Sequence, residues 1–304
     1  MRKSLLLAAV IGSFSLPAAV MADDAAPADA PTAHSHPEEK GTAPATAPAA
    51  AAPAAAPASP YTFTYNVGLY SQYIFRGLTQ TGRRPAIQGG VDFSHTSGIY
   101  LGTWGSNINW LTDGGNWHSG SLEWDIYGGI RNTFGQSDFG YDVGLLNYVY
   151  PGTKTSAGEA NATFVDPYTL ELYGALTWKW LQAKVSYSLT DTFGAKNSDG
   201  TYYAELNANV PLPTTGMLSG LTANLHVGRQ EYDGKVHDST GALLVDNRKL
   251  YSYTDYKIGL TKAFDNGVNV GGYWTDTNAK DAGYTLVGHN IGDGTFTAFV
   301  QKTF

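Results

Sequence analysis

From Tyr61 to Phe304 apolar residues recur at every second position, and this alternation constrains the fold more than any other feature of the chain. In YNVGLYSQYIF, Tyr65, Val67, Leu69, Tyr73 and Phe75 share one face, and Asn66, Gly68, Tyr70, Gln72 and Arg76 share the other. SLEWDIYGGIR sets Leu122, Trp124, Ile126 and Ile130 against Glu123, Asp125, Tyr127 and Arg131. YTLELYGALTWK and LQAKVSYSLT repeat the pattern. Side chains of a strand point alternately to its two faces, so a period of two places one face in an apolar phase and the other in a polar one.

Twelve segments carry the signal: 62–78, 84–95, 98–109, 118–133, 138–150, 167–179, 180–191, 201–211, 219–231, 251–263, 268–278 and 294–304. Short connections (HTSG, FGQSD, the WKW corner, PLPTTGM, FDNG) alternate with long ones, and Asn266-Gly267 is a strong tight-turn signal. An even strand number, short turns on one side and long loops on the other predict an all-β, antiparallel, up-and-down transmembrane barrel. Tyr65, Phe75, Tyr168, Trp178, Phe264 and Trp274 fall near strand ends on the apolar face, where interfacial girdles belong. The competing fold is a soluble β-sandwich or lipocalin-like barrel.

The N-terminus supports an envelope destination. Residues 1–22 read as a signal peptide: Arg2 and Lys3 precede an apolar stretch from Leu5 to Leu16, and Val20 and Ala22 are small residues at the cleavage positions. Residues 23–60 are rich in Ala and Pro and predict a disordered periplasmic linker, since they cannot bury enough surface to offset chain entropy. His34 and His36 lie in it and are read as incidental rather than metal-binding. Residues 61–304 are the barrel domain. The chain has no cysteine, which excludes a disulfide scaffold and a thiol nucleophile. From Tyr61 onward 16 Lys and Arg stand against 21 Asp and Glu, a difference of −5, with no basic patch for nucleic acid.

Specific blocks carry a family resemblance. YSQYIFRGLTQT, RPAIQGGVDFSH, GIYLGTWGSN, LEWDIYGG and YDVGLLNYVYPG resemble the signature blocks of the TorF-type porin family of proteobacterial outer-membrane proteins. The resemblance is dense between Tyr70 and Tyr150 and implies a porin-like barrel without a defined substrate. The terminal TFTAFVQKTF resembles the signal read by the barrel assembly machinery, with Phe304 as its last residue. Expected partners are therefore outer-membrane lipids, lipopolysaccharide, that machinery and small polar solutes.

Strand parity then gives the expected lumen-lining residues: Arg76, Asp92, Glu123, Asp125, Arg131, Asp142, Glu171, Lys184, Glu205, Asp255 and Lys257. Tyr73 and Phe75 are expected to touch lipid, while Arg76 faces the lumen's outer mouth and pairs with Glu123 or Asp125. The expected function is passive diffusion of small polar solutes or ions through a narrow lumen. The alternatives are a closed structural or adhesive barrel acting through its loops, and an outer-membrane hydrolase. The hydrolase lacks a G-x-S-x-G motif, and no catalytic residue, metal or cofactor is expected.

Overall fold

The computed structural model describes residues 59–213 and 215–304. The signal peptide, the linker and its two histidines lie outside the described residues. Twelve antiparallel strands follow one another around a closed barrel: β1 (Tyr61–Tyr70), β2 (Ala86–His95), β3 (Ile99–Asn107), β4 (Leu122–Thr133), β5 (Phe139–Val149), β6 (Thr169–Trp178), β7 (Leu181–Ser188), β8 (Tyr202–Pro211), β9 (Leu221–Glu231), β10 (Tyr253–Ala263), β11 (Val268–Thr277) and β12 (Thr295–Thr303). The first strand closes on the last, with Asn66 opposite Thr303 and Tyr70 opposite Phe299. β1 pairs with β2 along its whole length and with β12 over Asn66–Tyr70, so the barrel wall has no free edge strand, the condition for crossing a bilayer with strands. Among the described residues no helix is long and apolar enough to cross a membrane.

The alternation becomes an outside and an inside. On β6 the outward side chains include Leu172 and Leu176, while Glu171, Tyr173 and Ala175 are buried within. Leu69, Ile87, Leu101, Leu145, Leu206 and Ile258 continue the exposed apolar surface around the wall. A belt of this kind costs free energy in water and is stabilised in hydrocarbon, so the wall is a lipid-facing one. Tyr65, Tyr168, Trp178, Phe264 and Trp274 all lie on the exposed surface.

One end of the barrel carries compact turns at 96–98, 134–138, 179–180 and 264–267, and a short 3-10 helix, Gly216–Leu218, ahead of β9. The other end carries the long connections 71–85, 108–121, 150–168, 189–201, 232–252 and 278–294. These connections fold into short helices and two-stranded ribbons, and much of their aromatic content packs over and into the barrel mouth.

The first strand departs from its expected length. It ends at Tyr70 instead of running to residue 78. Beyond it the chain turns inward and forms a small hairpin, Ile74–Phe75 against Leu78–Thr79, with Arg76 and Gly77 as its two-residue loop. Both loop residues have positive φ, 46° and 78°, as a type I′ hairpin turn requires. Phe75 and Tyr73 were expected on the lipid face. They are 7% and 3% exposed instead, inside the barrel. The alternation in YSQYIFR survives the corner by coincidence of parity, because the whole segment has left the wall.

Candidate functional site

The inserted hairpin is anchored at its base, its flank and its tip. At the base, Gln72 Nε2 donates to Thr295 Oγ1 (2.9 Å) and to the Phe296 carbonyl (3.0 Å) of β12. Gln80 N donates to the Tyr73 carbonyl, and Thr81 Oγ1 accepts from Tyr73 N, so the two arms are tied across the lumen side. On the flank, Thr79 N donates to the Ile291 carbonyl, and Asn109 N to the Gln80 carbonyl. The neighbouring long loops therefore hold the hairpin down. At the tip, a Cβ added to Gly77 would stand 2.5 Å from Thr277 Cγ2 and 2.6 Å from Asp255 Cβ. Only glycine lets the turn sit this close to the wall at that φ.

Arg76 projects from this tip across the lumen, at 5% exposure. Its Nη2 donates to both oxygens of Glu171 on β6, at 2.8 and 2.9 Å, and its Nη1 donates to Gln230 Oε1 on β9, at 2.8 Å. Tyr148 OH also donates to Glu171. The guanidinium lies 4.3 Å from the Tyr203 ring centre and 4.8 Å from that of Phe75. The backbone carbonyl of Arg76 accepts from Tyr253 OH at 2.9 Å. A cation inside a low-dielectric barrel is tolerated only with such partners, and charge-assisted hydrogen bonds to a carboxylate are the strong kind.

The expected pairing of Arg76 with Glu123 or Asp125 is corrected: its carboxylate partner is Glu171. Parity identified the acids of the wall, but the inward fold of the hairpin carried the arginine to the far side. Glu123 instead accepts from Tyr73 OH at 2.6 Å. Asp125 is fully buried, and neither of its carboxylate oxygens has a hydrogen-bond partner.

The other parity-selected residues line the inner surface in small groups. Tyr127 OH donates to Asp92 (2.7 Å), and Tyr100 OH to Asp142 (2.5 Å), with Arg131 over the Tyr100 ring. Lys184 stands over Tyr173 and opposite Glu205 in the ladder. Lys257 stands over Tyr273. Asp255 joins a cluster that sequence reading did not assemble: His226 Nε2 lies 2.8 Å from Asp255 Oδ1 and 3.0 Å from Tyr203 OH, and His226 Nδ1 lies 2.6 Å from Asn207 Oδ1. These partners offer no serine to that imidazole. His95 does meet Ser97 Oγ at 2.9 Å, but on an exposed turn where Nδ1 also accepts from Ser97 N. Among the described residues no group of three or more His, Asp or Glu is placed to hold a metal.

The hairpin divides the interior. On one side a cavity of about 40 Å³ is bounded by Tyr73, Arg76, Gly77, His226, Asp255 and Lys257. On the long-loop side a cavity of about 230 Å³ is bounded by Phe75, Leu78, Gln230 and Tyr253 together with loop aromatics. Hairpin residues line both: Ile74, Arg76 and Gly77 the first, and Phe75, Leu78 and Gln80 the second.

A closed antiparallel barrel with an apolar belt, a charged lumen and an inserted hairpin defines a membrane β-barrel of the outer-membrane type. Residues 54–304 match the model of a family described as "Bacterial protein of unknown function (Gcw_chp)", and the chain belongs to that family. No curated protein matches it in sequence. Among solved structures it is similar to the KdgM porin (8% identity, TM-score 0.43, covering 80% of this chain and 98% of that one). It is also similar to the outer membrane protein OprD from Pseudomonas aeruginosa (13%, 0.35, 80% and 65%). A third similarity is to LpxR from Salmonella typhimurium (13%, 0.37, 79% and 99%).

Proposed function

We propose that the protein is an outer-membrane porin for small polar solutes or ions, constricted by the 71–85 hairpin, with its long loops on the cell surface. The observation that carries this reading is the polar, charged inner wall interrupted by one thin, locally anchored segment. A barrel built only as a scaffold would gain more from an apolar core, because buried charges are costly unless each is paired. A constriction lined by opposed charges filters permeant solutes by size and sign. The resemblance to the TorF-type porins agrees with this assignment.

The acids of the wall outnumber the bases, with Asp92, Glu123, Asp125, Asp142, Glu171, Glu205 and Asp255 against Arg76, Arg131, Lys184 and Lys257. The proposed channel therefore favours cations. Liposome-swelling assays test the transport reading. Proteoliposomes are expected to admit the smallest amino acids and exclude disaccharides; swelling no faster than empty liposomes for every solute refutes diffusion. The loop-acting alternative draws on the blocked lumen, and it gains if flux is absent while surface binding depends on the loops.

A further inference from the structure

The cavity on the long-loop side differs in kind from the lumen beneath it. Of its twenty lining residues ten are aromatic, and none is Asp, Glu, Lys, Arg or His. Trp110, Trp117, Tyr150, Phe164 and Phe193 form much of its wall, and their contacts are edge-to-face, as between Trp110 and Tyr150 (5.6 Å, 85°). Such a wall offers a guest both ring faces and ring edges, the two contacts an aromatic guest uses best.

Size and polarity narrow the guest. A dry cavity of about 150 Å³ lined by aliphatic and aromatic side chains holds benzene. At about 230 Å³ this one holds a ring with a substituent, or two fused rings. The polar groups around it are largely occupied: Gln230 bonds Arg76 and the Tyr202 carbonyl, Tyr253 bonds the Arg76 carbonyl, and Tyr284 bonds the Tyr251 carbonyl. Too few remain for a polyol. Two donors are left over. The indole N–H groups of Trp110 and of the buried Trp117 make no hydrogen bond. A buried donor without an acceptor is costly, and an oxygen on the guest relieves it. An anion would find no Lys, Arg or His among the lining residues and would meet the negative faces of the rings, whereas those faces, which already carry Arg76 over Phe75 and Lys154 over Trp117, do not repel a cation.

We infer that this cavity is a binding site for a small, non-anionic aromatic molecule bearing a hydroxyl or carbonyl oxygen. The site stands apart from the transport reading, because occupancy is measured without current or flux.

The test is ¹⁹F NMR on the purified full-length barrel in detergent, with 4-fluorophenol as probe and protein-free micelles as the baseline. Saturable binding above that baseline, displaced by unlabelled phenol, is expected. 4-Fluorobenzoate is expected to bind at least ten times more weakly. Two cavity-filling variants, Ala195→Phe and Leu286→Phe, should each weaken 4-fluorophenol at least tenfold while the barrel keeps its β-sheet circular dichroism. Trp117→Phe keeps an aromatic ring, loses the indole donor and should weaken it severalfold. Absence of displaceable binding, equal binding of 4-fluorobenzoate, or undiminished binding in both folded filled variants would overturn the assignment.

Discussion

Arg76 and Glu171 are 95 positions apart in the chain, yet one guanidinium nitrogen donates to both carboxylate oxygens at 2.8 and 2.9 Å, and both side chains are buried. One partner sits on a hairpin that has left the wall and the other on the wall itself. The pair therefore reports whether the hairpin is seated. Removing either partner strands a buried charge, which costs about 3–5 kcal/mol. Arg76→Ala and Glu171→Gln are each expected to loosen the hairpin and speed proteolysis between residues 71 and 85. The double variant should lose clearly less than the sum of the two, because neither charge is then left alone. Proteolysis rates arranged as a double-mutant cycle measure this, and additive effects would remove the pair from the account.

Asp125 provides the opposite case in the same lumen. Its carboxylate is fully buried and its oxygens accept nothing. Replacing an unpartnered buried acid with an apolar side chain of similar shape removes a cost of about 1–3 kcal/mol. Asp125→Leu is expected to raise the urea midpoint of unfolding, whereas Glu171→Gln lowers it. A lower midpoint in Asp125→Leu would mean that this acid has a stabilising partner.

The turn itself separates backbone from charge. Gly77→Ala puts a Cβ against Thr277 and Asp255 and forces a side chain into positive φ, where an L-residue pays about 1–2 kcal/mol before any clash. Arg76→Asn keeps a residue that tolerates positive φ and removes the cation. Gly77→Ala should unseat the hairpin with Arg76 still present. Arg76→Asn should loosen it less than Arg76→Ala. Limited proteolysis within 71–85 reads both.

These contrasts show what was legible beforehand. The twelve-strand wall followed from parity, because a residue on a closed sheet has only two directions to face, and Glu171 and Asp142 were placed inward by that rule alone. The hairpin was hidden by the same rule. Tyr73 and Phe75 keep the parity of Tyr65 and Leu69, so YSQYIFR reads as continuing strand although Arg76-Gly77 is a left-handed turn. A glycine after a polar residue was the available signal for that turn. The Arg76–Glu171 and His226–Asp255 pairings join distant segments, and one sequence does not encode their proximity in any local pattern. The aromatic cavity was equally hidden, since its wall is gathered from several loops without periodicity.

The outer wall makes a prediction of its own. Leu172 lies mid-strand on β6 with Leu145 and Tyr187 beside it, all exposed to the belt. Leu172→Arg is expected to destabilise the barrel in liposomes by about 2–4 kcal/mol, and Tyr168→Arg, near the rim, by about 0–1 kcal/mol. Equilibrium unfolding in lipid vesicles checks the difference. Equal effects at the two depths would contradict a membrane-spanning belt.

Under the proposed channel function, the inserted hairpin is the segment that narrows the lumen. Single-channel recording in planar bilayers tests it most directly, comparing the native protein with a variant in which residues 74–79 are replaced by a short Gly-Ser link. The native protein should show small, infrequent steps. The variant should show steps several times larger, with a reversal potential in a salt gradient that marks cation preference. A variant that folds into the barrel and conducts no more than the native protein would contradict the account.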